Sequence, residues 1–411
     1  MLKNIDICGF KSLRKVSLSF PRMTVLFGPN ASGKSNILDA IQALSRIGTH
    51  RTLADALMEP IRGHPIESFA FPDGGLPALL DADSASFSLQ ADLAVGKELY
   101  RYRVEVQIDP RSGALSVVDE YLSALTARGE PRGAARIELV EGKLRLRRRS
   151  RPARPRNEEL RQNYALLSDP RLGGAEYRAI ERVRGELSGW RTYYLDPRVA
   201  MRAAQPPADV RDIGVLGGDI APFLYRLRAE HPKRFEAIQR TLVSIIPGVE
   251  QLAVDLDKRR GTLDILIRQQ GTDYSSRIIS EGTLRVLALC SIAANPWSGS
   301  LLAFEEPENG VHPRRLELIA RLLLSLATEQ ERQVIVTTHS PLFCDAVLEQ
   351  ARSQPQDIVL LQMRQEGRAT DVRPFGASGP LFNGAQIRAA LTAPLEDGIF
   401  QSLLMRGMLD E

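Results

Sequence analysis

Eight consecutive residues, Gly28-Pro29-Asn30-Ala31-Ser32-Gly33-Lys34-Ser35, constrain this 411-residue chain more than any other stretch in it. They match G-x-x-x-x-G-K-[ST] at every position. Such a turn needs a strand before it and a helix after it. Both are predicted here: Thr24-Val25-Leu26-Phe27 is a short apolar run, and Ile37, Leu38, Ile41 and Leu44 recur at helical spacing. Glycines let the backbone curl so that successive amides point inward, and the helix start adds its positive end. The expected cradle takes in Asn30, Ala31, Ser32, Gly33, Lys34, Ser35 and Asn36. Lys34 is placed to reach β- and γ-phosphates, and the Ser35 hydroxyl to hold Mg²⁺.

The rest of the chain supplies a matching scaffold. Residues 3–20 read as two short strands around Gly9-Phe10-Lys11-Ser12. From about 84 to 118 the pattern alternates, through Phe87, Leu89, Leu93, Tyr100, Tyr102, Val104 and Val106, which predicts antiparallel sheet turning at Asp109–Gly113. Helices are expected at roughly 157–167, 174–188 and 217–246. A hairpin, Leu252–Leu256 and Leu263–Ile267, follows, turning at Arg260-Gly261. Then come a helix from Glu281, a strand Leu301–Phe304, a helix Pro313–Ala327 and a strand Gln333–Thr337. Strands alternating with helices at both ends of the chain predict a largely parallel α/β core. By motif the chain divides into 1–150 with the phosphate loop and antiparallel insert, a helical lobe with hairpin at 151–280, a second catalytic lobe at 281–375, and a tail at 376–411. No internal repeat and no long heptad run is visible.

Three further motifs follow in order. Ser280 precedes Glu281-Gly282-Thr283 as a helix N-cap, and its hydroxyl with the Gly282 amide makes a second anion-binding helix start. Leu301-Leu302-Ala303-Phe304-Glu305-Glu306 is an apolar strand ending in acids. Glu305 would sit at the Mg²⁺ position, usually an Asp, and Glu306 would orient and deprotonate an attacking water. Gln333-Val334-Ile335-Val336-Thr337-Thr338-His339 is a buried strand with His339 just past its end, where α/β sheets place ligand-contacting groups. There His339 would donate to the γ-phosphate.

Bulk properties agree. Net charge is +4 with 43% hydrophobic residues, and Cys8, Cys290 and Cys344 have no paired spacing. Zinc ribbons and disulfide frameworks are therefore not expected, and a reducing cytoplasm is. The N-terminus has no signal-peptide core and no apolar run reaches membrane-spanning length, so no membrane partner is expected.

Together these motifs resemble the soluble branch of the ATP-binding-cassette class that includes RecF, SMC and OLD-type ATPases, over about residues 1–345. The carrying residues are GPNASGKSNILDAI, SEGTLRVLAL, FEEPENGVHP, VTTHSP and the opening IDICGFKSL. The resemblance implies an ABC-type P-loop head: a mixed, mostly parallel core sheet with an antiparallel β insert and a helical lobe. It implies ATP and Mg²⁺, and a head-to-tail homodimer with ATP between the phosphate loop of one subunit and the Ser280 helix of the other. Asn309 then lies across the dimer seam. Roles in DNA repair or defence against phage and plasmids, with a separately encoded effector, are what such relatives suggest. The class's Q-loop glutamine is not identifiable, since Gln90 and Gln107 fall in the antiparallel region.

Several features stay open on sequence alone. Seven arginines at 145, 147, 148, 149, 151, 154 and 156, with two prolines, suit either phosphate contacts to DNA or RNA or a solvated loop. Trp190, Tyr193 and Tyr194 read as core or lobe junction, Arg314 and Arg315 as a helix start, and His312 as a loop residue. The tail carries an apolar face at Leu381, Phe382, Ile387, Leu391, Ile399, Phe400, Leu403 and Leu404, for the core, a partner or another subunit. After His339 no Asp-x-Asp occurs, and the five histidines make no nuclease cluster, so no nuclease is expected in this chain. Besides an ATPase, the sequence admits an ATP-gated regulator or scaffold with negligible hydrolysis. A transporter motor is disfavoured by the insert and the arginine run.

Overall fold

The computed structural model describes residues 1–58, 60–148, 155–353, 356–375, 398 and 400. The arginines at 149, 151 and 154, and the apolar tail positions other than Phe400, lie outside the described residues. By packing, the chain forms two compact units that interleave in sequence. The four consecutive segments expected above are a division by motif instead.

The first unit comprises Met1–Pro21, Pro29–Trp190 and Gln362–Arg373. Its opening strands β1 (Leu2–Phe10) and β2 (Leu13–Ser19) pair antiparallel, with Phe10 opposite Leu13 across a tight turn. Lys11 in that turn has φ 49. The strand β3 (Met23–Phe27) belongs to the second unit. After the phosphate loop come α1 (Lys34–Ile47), α2 (Leu53–Leu57) and α3 (Gly75–Leu80). Ile37, Leu38, Ile41 and Leu44 of α1 are all buried, as their spacing predicts.

The alternating region forms β4 (Ala85–Val95), β5 (Glu98–Asp109) and β6 (Ala114–Leu125). Three short strands extend it: β7 (Ile137–Val140), β8 (Lys143–Leu146) and β9 (Arg156–Glu159). All join β1 and β2 in one eight-stranded sheet, ordered β2-β1-β4-β5-β6-β7-β8-β9. Phe10, Phe69 and Phe87 pack under it at centroid distances of 5.2 and 4.9 Å from the Phe87 ring.

Residues 157–167 are not the expected helix. Arg156–Glu159 joins the sheet as β9, with Leu144 opposite Glu158, and Leu166–Ser168 is a single 3₁₀ turn. The cause is a carboxylate on β6. Glu120, fully buried, accepts the Leu166 and Leu167 amides at 2.7 and 2.9 Å and the Tyr102 hydroxyl at 3.1 Å. It captures amides that a helix would have bonded internally. Burial raises the Glu120 carboxyl to about 7, against those hydrogen bonds. Helix α4 (Arg178–Ser188) then closes this unit, within the expected 174–188.

The second unit comprises the described residues of Arg22–Gly28, Arg191–Leu361 and the stretch from Pro374 on. After β10 (Trp190–Tyr193), the expected helical stretch 217–246 is split into α5 (Ile220–Glu230) and α6 (Pro232–Ile245). Pro232 opens α6, because its missing N–H and fixed φ suit a first turn and not a helix interior. The predicted hairpin is β11 (Val249–Asp257) with β12 (Thr262–Gln269), and β13 (Thr272–Ser275) adds a third strand.

Helix α7 (Glu281–Ala294) follows, apolar on nearly every side and buried accordingly. Next come β14 (Leu301–Glu305), α8 (Leu316–Thr328), β15 (Gln333–Thr338) and α9 (Pro341–Ser353), then β16 (Ile358–Glu366), whose residues from Gln362 on belong to the first unit, and β17 (Ala369–Phe375), of which Ala369–Arg373 does too. The core sheet runs β10-β14-β15-β3-β16-β17, with β14, β15 and β3 parallel. This is the parallel α/β centre read from the sequence. Tyr193 belongs to its core, stacked on Phe304 at 5.4 Å, with its hydroxyl donating to Asp212 at 2.7 Å. Among the described residues no helix is long and apolar enough to cross a membrane.

Candidate functional site

The phosphate loop leaves β3 through Gly28 and enters α1 at Lys34. Ala31 (φ 65) and Gly33 (φ 94) take left-handed conformations, as inward-facing amides require. Gly33 is irreplaceable for a second reason: a Cβ there would meet Thr370 Oγ1 at 2.1 Å and Ser12 Oγ at 3.0 Å. A polar clasp forms behind the loop. Asn36 Nδ2 donates to Ser12 Oγ at 2.8 Å, the Ser12 and Thr370 hydroxyls lie 2.7 Å apart, and the Thr370 amide donates to Ser12 O at 3.0 Å.

Asn36, expected among the nucleotide contacts, thus also ties the helix to the opening hairpin. Lys34 is buried and its Nζ donates to Pro29 O at 2.8 Å, spanning the base of the loop. Asn30 and Ala31 are exposed at the rim and Ser35 is half-buried. The Ser32 hydroxyl is buried with no hydrogen-bond partner among the described residues, which a phosphate oxygen would satisfy. Next to this loop, Lys11 and Arg62 both bond the fully buried Asp39 of α1, at 2.6 and 2.9 Å. Burial lowers the Lys11 pKa.

In the second unit, four motif residues converge. Glu305 ends β14, paired in register with Thr337 of β15. Glu306 follows with φ 43, a conformation that costs a non-glycine residue of order 1 kcal/mol or more and marks functional turns. Its amide donates to Thr337 O at 3.0 Å. Its carboxylate is held at both oxygens: Oε1 lies 3.0 Å from His339 Nδ1, and Oε2 accepts from Asn309 Nδ2 at 2.6 Å. His339, at the end of β15, is about half exposed, while the Glu306 side chain is 23% exposed.

The Ser280 helix start packs against the same loop. Ser280 Oγ accepts the Thr283 amide at 3.2 Å, as an N-cap does. A Cβ on Gly282 would stand 2.2 Å from Gly310 O, so only glycine lets α7 approach the loop that carries Asn309. Arg202 fixes the lead-in by donating to Ser276 O at 3.1 Å and Ile279 O at 2.6 Å.

Three contributors were invisible as single letters. Glu308 is 5% exposed, accepts the Thr338 hydroxyl, and has its pKa raised by burial, with the Thr338 bond opposing. Thr338 in turn accepts the Ser340 amide at 2.9 Å. Arg285 reaches Glu306 O at 3.5 Å, and burial lowers its pKa while Glu308 and Glu281 oppose. Nothing marked Thr338 or Arg285 beyond their place in motifs.

A phosphate loop, an acid-ended parallel strand, a histidine after the next strand and a serine-capped helix define an ABC-type P-loop ATPase of the RecF/SMC branch. Residues 23–345 match the family described as "AAA domain, putative AbiEii toxin, Type IV TA system", and the chain belongs to that family.

The Smc chromosome partition protein of Mycobacterium leprae is 28% identical over 236 residues, covering 51% of this chain and 18% of that protein. The RecF DNA replication and repair protein of Rippkaea orientalis is 38% identical over 55 residues, covering 13% of this chain and 14% of that one. The matches thus span less than a fifth of these relatives' lengths. An Smc head bound to the C-winged helix domain of ScpA superposes with a TM-score of 0.51 at 15% identity, covering 92% of this chain and 98% of that one. The Pyrococcus furiosus Smc head domain bound to the C-terminal domain of ScpA gives 0.50 at 13%, covering 92% and 96%. These likenesses establish the fold.

Proposed function

We propose that this chain binds and hydrolyses ATP at composite sites of a head-to-tail homodimer in the cytoplasm, and couples the cycle to nucleic-acid-associated work. The observation that carries the reading is the Glu306 carboxylate, bonded at one oxygen by Asn309 and facing His339 at the other. A carboxylate so fixed at the end of an apolar parallel strand is equipped to orient a water and take its proton. Lys34 and the amides of the Asn30–Asn36 stretch bind the phosphates, and the orphaned Ser32 hydroxyl supports an anionic occupant there. Ser280, Gly282 and Asn309 serve the nucleotide of the second subunit.

The Ser35 hydroxyl and Glu305 carboxylate are hard oxygen donors of the kind Mg²⁺ takes alongside phosphates and water. Bound Mg²⁺ would neutralise charge on the phosphates. His339 donates to the γ-phosphate, so its bond to Glu306 links the presence of that phosphate to the state of the base. Dimer assembly on ATP and release on hydrolysis then make a clamp.

The names of the relatives, DNA replication and repair for RecF and chromosome partition for Smc, support work on DNA. The Smc heads solved with ScpA domains support a separately encoded protein partner. DNA repair and defence against invading DNA are the settings such an ATPase suits. Steady-state phosphate release, measured alone and with double-stranded DNA, single-stranded DNA or RNA, tests this. Salt-sensitive stimulation by one polymer is expected. Phosphate release no faster than buffer under every condition would overturn hydrolysis and favour an ATP-gated regulator acting through a protein partner.

A further inference from the structure

A cavity of about 190 Å³ in the first unit is lined by five arginines: Arg132, Arg136, Arg147, Arg178 and Arg182. They come from separate stretches of chain. Arg132 and Arg136 lie between β6 and β7, Arg147 just after β8, and Arg178 and Arg182 on the first turns of α4. Only two carboxylates, Glu98 and Glu176, share the lining. With Glu138, which pairs Arg147 from beyond the lining, the cavity carries a surplus of two positive charges, which repel one another in the absence of an anion.

The internal bonds compensate two of the five arginines and leave the rest of the charge standing. Arg182 pairs with Glu98, which also accepts the Tyr100 hydroxyl. Arg147 pairs with Glu138 at 2.5 Å and donates to Ala135 O at 3.0 Å, so it is held rigidly at the wall. Arg136 donates to Arg148 O at 3.3 Å. The guanidiniums of Arg132 and Arg178 make no hydrogen bond or ion pair among the described residues, and both are exposed. Helix α4 also begins here: its N-cap Tyr177 makes no side-chain cap bond, so the first-turn amides add donors of the same sign.

We propose that this cavity binds a terminal phosphate monoester of nucleotide type, either at the end of a nucleic-acid strand or on a free nucleotide. Guanidinium forks match phosphate oxygens bidentately. A monoester carries nearly two negative charges near neutral pH, a phosphodiester one. A concave site of this charge and volume takes one phosphoryl group with its attached sugar, whereas duplex backbone lies along an open groove. The half-buried Tyr177 in the lining offers a ring for the sugar or base. The Tyr177 ring is also met by Arg148, 6.0 Å from its centroid. None of its lining residues belongs to the Glu306 cluster, and binding there does not require hydrolysis.

The test titrates the full-length chain with three fluorescent probes: a 5′-phosphorylated single-stranded 12-mer, the same strand with a 5′-hydroxyl, and a labelled cytidine monophosphate. Each is repeated on an Arg132→Ser/Arg178→Ser double variant. Both side chains are exposed, so the melting temperature is expected to hold. At least one phosphate-bearing probe should bind and lose about tenfold or more in the variant, while the 5′-hydroxyl strand is unaffected by the substitutions. If the strand responds, its end is the ligand; if the mononucleotide responds, a free nucleotide is. Binding of neither phosphate-bearing probe, no loss in the variant, or an equal loss for the 5′-hydroxyl strand would each overturn the proposal.

Discussion

His339 Nδ1 and Glu306 Oε1 stand 3.0 Å apart, joining the residue after β15 to the turn after β14. The parallel register of these strands sets Glu305 opposite Thr337, so Glu306 leaves β14 beside the end of β15, one residue short of His339. The Glu306 amide bonded to Thr337 O locks that arrangement from the backbone side. A left-handed Glu306 is the local cost of aiming its carboxylate at both His339 and Asn309.

Asn309 follows as a positioning residue. Its 2.6 Å bond to Glu306 Oε2 fixes the rotation of the carboxylate. Losing a hydrogen bond to a charged group costs about 1.5–3 kcal/mol. Asn309→Ala is therefore expected to lower kcat by about tenfold or more, read from steady-state turnover at saturating ATP so that its part in holding the second subunit's nucleotide does not enter. Asn309→Asp, which sets a like charge against Glu306, should be at least as damaging.

Gly282→Ala tests the contact between α7 and the Asn309 loop. The added methyl would fall 2.2 Å from Gly310 O, so one backbone must move. Overpacking of this kind costs about 1–3 kcal/mol. A melting temperature lowered by a few degrees, with turnover falling much further than stability, is the expected pair of results in a thermal melt and an ATPase assay.

Glu120 predicts a pH dependence of stability. Its carboxyl is raised from 4.5 in the unfolded chain to about 7 in the fold, mainly by burial. The folded protein therefore holds this proton more tightly than the unfolded chain. The stabilisation is complete below pH 4.5, declines as pH rises through the window to about 7, and is gone above it. The shift corresponds to about 3 kcal/mol. Denaturant midpoints of wild type and Glu120→Gln across pH 5 to 8 should converge or cross because only the wild type carries this component. Parallel curves would remove Glu120 from that role.

Much of the fold was legible because it is local. The strand, glycine turn and helix around Lys34 lie within a few residues, and the alternation from Phe87 to Val106 shows directly which side chains face the core. What was hidden depends on partners far along the chain. Thr370 closes the clasp behind Gly33 from 337 positions away, and no short pattern announces it. Leu166 and Leu167 looked helical until the buried Glu120 carboxylate is seen to take their amides. Motif order singled out Glu306, His339 and Ser280, and the structure sets the first two 3.0 Å apart. It did not single out their supports Arg285, Thr338 and Glu308, since burial gives them their meaning.

The role of Glu306 as the base for ATP hydrolysis is tested by the turnover of Glu306→Gln, measured beside its oligomeric state with ATP. Glutamine keeps the size and the contact to Asn309 while removing the ability to take a proton. Turnover is predicted to fall by on the order of 10²–10⁴-fold, with ATP still bound and a dimer accumulating in sedimentation velocity. Hydrolysis within a few-fold of wild type would contradict the account.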